Sequence, residues 1–67
     1  MKNLKALRKA RGMSQTELAE LLGVTFGAVS AWELGLKYPS ADKLPDIARI
    51  LQCTIDELYG SERKEAG

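Results

Sequence analysis

Histidine is absent from this chain, and Cys53 is its only cysteine. The lone thiol excludes a disulfide within the chain. A structural zinc site takes about four nitrogen or sulfur ligands, which these residues cannot assemble. Triads and dyads built on histidine are excluded with it, and no Gly-rich phosphate loop is present, so the chain is not expected to be an enzyme or to carry a cofactor. Long apolar runs are missing too: none approaches the roughly 18 residues of a membrane span. The opening Met-Lys-Asn-Leu-Lys has no apolar signal region. Together these absences predict a cytoplasmic protein with no membrane partner.

What is present suits one small domain. The chain has 67 residues, of which 45% are apolar and 28% charged, an ordinary globular balance. That length leaves no room for a separate sensor pocket, and no small-molecule ligand is expected. Ten Lys and Arg stand against nine Asp and Glu, a net charge of +1. The total says little about partners, but the distribution is uneven. Residues 1–13 carry Lys2, Lys5, Arg8, Lys9 and Arg11 without an acid, whereas residues 14–36 carry Glu17, Glu20 and Glu33 without a base. A basic segment of this kind suits phosphates; on charge alone a solvated helix face is the more ordinary account.

The punctuation is helical throughout, and no alternating strand pattern interrupts it. Ser14 with Glu17 and Thr54 with Glu57 form S/T-x-x-E capping boxes, Thr25 and Ser40 are further N-cap candidates, and glycines close several apolar-periodic segments. The spacing predicts an all-α, five-helix bundle: about Lys2 to Ala10, Gln15 to Leu22, Phe26 to Leu34, about Ala41 to Leu51, and Ile55 to Tyr59. Inward residues are Leu4 and Leu7, Leu18 and Ala19, Val29 and Trp32, Leu44, Ile47, Ala48 and Leu51, then Ile55 and Leu58. Pro45 removes one helical hydrogen bond, so the fourth helix is expected to bend there or to start nearer to it. The domain is expected over residues 1–60, with a polar, frayed tail from Ser61 to Gly67.

Ser14 to Gly35 is the informative stretch. Two short helices are joined by Gly23-Val24-Thr25, the length of a helix-turn-helix connection. A small Ala19 lets the helices approach, and Gly23 supplies the positive φ of the turn. Over residues 2 to 60 the chain resembles the phage-repressor-like (Cro/Xre-type) helix-turn-helix proteins. The resemblance is carried by LRKARGMSQTELAELLGVT, SAWELG, YPSADKL and CTIDELYG. It implies a compact bundle that binds operator DNA, commonly as a homodimer. The function it implies is sequence-specific transcriptional regulation, most simply repression.

Arg8 and Glu33 fall on the edges of apolar stripes, four residues after Leu4 and Val29 respectively. A lone charge there would be costly, and the spacing suggests an ion pair linking the first and third helices, as the resemblance also implies. In the third helix the positions opposite Val29 and Trp32 are Phe26, Gly27, Ser30 and Ala31, with Thr25 at the entry; by resemblance these reach base edges in the major groove. Relatives often carry Gln, Arg, Asn or Lys there, able to make paired contacts with bases. Here Thr25 and Ser30 offer hydroxyls, Phe26 and Ala31 suit thymine methyls, and Gly27 allows close approach of the backbone. Discrimination is then expected to be modest or to rest partly on DNA shape. Gln15 by resemblance, and Lys37 as the best-placed base, are the expected phosphate contacts, with Lys9, Arg11, Tyr38 and Lys43 behind them. The unusually apolar reader positions also suit an alternative: an interaction module, such as an antitoxin-like partner, using the same fold to bind protein. Cys53 is expected to be a buried small hydrophobe.

Overall fold

The computed structural model describes residues 1–60, all of whose regular elements are helices. They are α1 (Leu4–Ala10), α2 (Gln15–Leu22), α3 (Phe26–Leu34), α4 (Leu44–Leu51) and α5 (Ile55–Tyr59). The expected tail from Ser61 to Gly67 lies outside the described residues.

Helix starts follow their caps. The Glu17 amide donates to Ser14 Oγ at 3.0 Å while Glu17 Oε1 accepts from the Ser14 amide at 2.8 Å. Thr54 and Glu57 repeat the exchange at 3.0 and 2.7 Å. Each box satisfies amides that the first helical turn leaves unpaired.

Two helices start later than their periodicity suggests. α1 begins at Leu4, not Lys2, with Asn3 as its cap; the Asn3 amide donates to the Leu58 carbonyl at 3.3 Å and its Nδ2 to the Glu57 carbonyl at 2.9 Å. The chain start is thereby strapped to α5. α4 begins at Leu44, not Ala41, and Pro45 lies in its first turn. There the missing N–H has no helical partner to lose and the fixed φ is already helical, so no bend is needed. Residues 41–43 form a turn instead, with the Lys43 amide donating to Ser40 O at 2.9 Å.

The core gathers Leu4, Leu18, Ala19, Leu22, Val29, Trp32, Ile47, Ala48, Leu51 and Leu58, with Met1 fully enclosed among them. The Met1 amino group donates to the Trp32 carbonyl, a cation set against the carbonyl end of α3. Ile55 departs from expectation, remaining 37% exposed while Leu58 is buried. A five-residue helix makes little more than one turn, and only its Leu58 end reaches the core.

Candidate nucleic-acid interface

The connection between α2 and α3 is built by local geometry. Gly23 adopts φ +72°, the left-handed region that a side chain would strain. The Gly23 amide then donates to Glu20 O at 3.2 Å and the Val24 amide to Ala19 O at 3.0 Å, closing α2. Thr25, in extended backbone, opens α3 by accepting from the Ala28 amide on its Oγ1 at 3.1 Å. Ala19 is only 3% exposed, and α2 against α3 is the most extensive helix–helix contact among the described residues. A larger side chain at 19 would force the two apart.

This packing divides α3 by face. Val29 and Trp32 are buried, while Thr25, Phe26 and Gly27 at the amino end are exposed, Phe26 to 53%. Ser30 and Ala31 are half-buried, so they project less freely than their place on the outward face suggests. The loop after α3 folds back beside them: the Leu36 amide donates to Ala31 O at 2.9 Å. No residue from Val24 to Trp32 is charged.

A polar network fixes α3 from behind. Arg8 Nε donates to Glu33 Oε2 at 2.6 Å and Nη2 to Oε1 at 3.2 Å, with the two side chains only 8% and 4% exposed. Arg8 Nη1 donates to the Met13 carbonyl at 2.7 Å. Gln15 completes the set, its Nε2 donating to Glu33 Oε1 at 2.9 Å. Among the described residues no buried side-chain nitrogen or oxygen lacks a partner, the condition under which a buried pair is tolerable. Spacing made the Arg8–Glu33 link legible. The engagement of Gln15 was not, since an exposed-looking amide at a helix start gives no local sign of a partner eighteen positions on. Its second amide hydrogen remains for another acceptor.

The basic residues divide into engaged and open. Arg11 Nε donates to Leu51 O at 2.9 Å, and Lys43 Nζ to Leu22 O at 3.2 Å. Each sets a cation at the carbonyl end of a helix, α4 and α2 respectively. Lys37 is exposed on the loop following α3, and among the described residues no partner holds its ammonium. Lys9 is exposed as well, whereas Tyr38 stacks on Tyr59 with ring centroids 6.2 Å apart. Cys53 is half-buried, and burial, reinforced by the Glu57 charge and opposed by Arg11, raises its thiol above the ordinary range. Among the described residues no group of side chains could hold a metal ion, and no helix is long and apolar enough to cross a membrane.

Two packed helices, a three-residue turn and an exposed amino end on the second define a helix-turn-helix domain. The helix-turn-helix family model matches residues 4–58. Relatives include the HTH-type transcriptional activator BcrR of Enterococcus faecalis, 41% identical over 59 residues, an alignment covering 88% of this chain and 29% of that protein. The uncharacterized HTH-type transcriptional regulator YqaE of Bacillus subtilis is 38% identical over 63 residues, covering 94% of this chain and 54% of YqaE. YazB, an uncharacterized HTH-type transcriptional regulator of the same organism, is 32% identical over 62 residues, covering 92% of this chain and 90% of YazB. The chain belongs to the helix-turn-helix family of Cro/Xre type. It spans less than a third of BcrR and about half of YqaE.

Proposed function

We propose that this chain acts as a DNA-binding transcription regulator, or as the DNA-binding part of one, seating the amino end of α3 in the major groove of an operator. The observation that carries the reading is the presentation of Thr25, Phe26 and Gly27 at the exposed start of α3, while Glu33 near its far end is locked to Arg8 and Gln15. An exposed helix start on a rigid base is what groove insertion requires. The names of the relatives, all HTH-type transcription regulators, support it.

Phosphates would be met by Lys37, by the amides at the start of α2, and by the remaining Gln15 hydrogen. Two copies on one operator would place their α3 helices about 34 Å apart. Leu34 and Leu36, 70% and 73% exposed, are candidates for the contact between copies. Repression by occupying the operator is the simplest outcome, although BcrR carries the name of an activator. The reading involves no enzymatic step and no cofactor.

Fluorescence anisotropy against a duplex from the region upstream of its own gene, across a salt series, tests it. The logarithm of affinity should fall linearly with the logarithm of salt, with a slope corresponding to about 3–5 phosphates per subunit. Binding indifferent to ionic strength, or absent, would refute the proposal.

A further inference from the structure

We infer that α3 identifies its DNA site chiefly through the C5-methyl groups of thymine, with Phe26 as the reading side chain and Gly27 as the gap that lets it seat. The inference rests on the DNA-binding reading above and specifies what that site recognises.

Bases are told apart in the major groove by their donor and acceptor patterns and by the thymine methyl. Paired hydrogen bonds to guanine or adenine come from Arg, Lys, Asn or Gln, and none of these lies between Val24 and Trp32. Two hydroxyls are the exposed helix face's whole polar supply. Thr25 Oγ1 already accepts from the Ala28 amide at 3.1 Å, and Ser30 is half-buried. Each hydroxyl can donate one hydrogen bond and rotates to accept instead, so neither supplies the fixed paired contact that singles out guanine or adenine.

Phe26 is the large side chain on this surface. It occupies the first position of α3, is 53% exposed and takes no part in the core. A benzyl group cannot read a hydrogen-bonding pattern, but it does shed water against a methyl group. Gly27 is the second observation. Its φ is not in the left-handed region, and a Cβ built there would meet only Thr25 Oγ1, at 3.9 Å. Nothing in the fold therefore demands glycine, although glycine weakens a helix relative to alanine. The missing side chain leaves bare backbone at the residue after Phe26, on the exposed first turn of α3, where a base edge can approach closely.

The test begins with a library of randomised duplexes long enough for two half-sites. Sequences retained by the full chain in gel-shift rounds are resynthesised with deoxyuridine at each thymine in turn. That change deletes the C5-methyl and leaves every hydrogen-bonding atom in place. Affinity should fall about four-fold for each methyl in contact. Phe26→Ala, at an exposed position, should melt with the unaltered chain and bind thymine and uracil duplexes alike. Gly27→Ala should melt at the same temperature or higher and yet bind the selected duplex more weakly. Equal affinity of the unaltered chain for thymine and uracil duplexes at every position would overturn the inference. So would enrichment of a site without thymine, or undiminished discrimination in Phe26→Ala. Retention of duplexes with no sequence enriched would overturn the methyl reading and leave DNA binding standing. Retention of no duplex would overturn both.

Discussion

At the scale of single residues, what separates a structural charge from a binding one is whether its donors are occupied. Arg8 spends three nitrogens on Glu33 and Met13, deep enough that removing one partner strands the other. Arg8→Met should cost about 3–5 kcal/mol by leaving the buried Glu33 carboxylate without its counter-ion, only the Gln15 amide still donating to it. In a domain of this size that lowers the melting temperature by well over 10 °C, at roughly 4–8 °C per kcal/mol. Adding Glu33→Leu to Arg8→Met should recover most of the loss, because the stranded charge goes with it. Thermal melts of the single and double variants decide this, and a double variant no more stable than the single would contradict it.

Cys53 gives a residue-scale prediction in pH. Its thiol is harder to ionise folded than unfolded, since burial disfavours the thiolate and Glu57 repels it. Stability from this group is therefore whole below the ordinary thiol value of 9.0 and declines as pH rises from there through the higher folded value. Urea unfolding across that alkaline window should show a slope that Cys53→Ala flattens. Alkylation of the folded chain should likewise need a higher pH than alkylation of the urea-unfolded chain.

At the scale of elements, side-chain caps fixed the starts of α2, α3 and α5, whereas Ser40, a further cap candidate, donates to Asp42 Oδ1 at 2.6 Å and does not cap α4. The α2, α3 and α5 limits could be read from Ser14, Thr25 and Thr54 because each cap bonds within three residues of itself. α1 and α4 could not be placed so well. Asn3 looks like an ordinary helix residue until Leu58 and Glu57 are brought beside it; for α4, apolar spacing runs on to Ala41, while Pro45 points to a start nearer to it, which is where α4 begins. Proline in a helix's first turn is pre-organised, and its rigidity limits the unfolded chain. Pro45→Ala should therefore destabilise by about 0.5–1 kcal/mol in urea titrations. A gain in stability would mean that Pro45 strains α4 after all.

At the scale of the whole molecule, the proposed DNA binding depends on holding the exposed start of α3 in register with the loop that carries Lys37. Leu18 is fully enclosed in the core that α2 shares with α3. Leu18→Ala should cost about 2–5 kcal/mol and weaken DNA binding only in step with the folded fraction. Lys37→Ala should behave in the opposite way. Because Lys37 is exposed and has no partner among the described residues, melting should be unchanged while affinity drops for all sequences alike. The salt slope should fall by about one. Circular dichroism melts beside anisotropy titrations separate the two. An unchanged slope in Lys37→Ala would remove that lysine from the interface.

The sequence by itself determined the five helices, the turn at Gly23 and the apolar face of α3, because periodicity, caps and a positive-φ glycine act over a few neighbouring residues. It also marked Arg8 and Glu33 as a pair, since two charges on apolar stripes have few other ways to be buried. Only the tertiary structure decided that Met1 is enclosed in the core, that Gln15 joins Glu33, that Arg11 and Lys43 close helix ends, and that Ile55 stays outside. Those outcomes depend on groups many residues apart being brought within hydrogen-bond or van der Waals reach, a distance that no local pattern encodes.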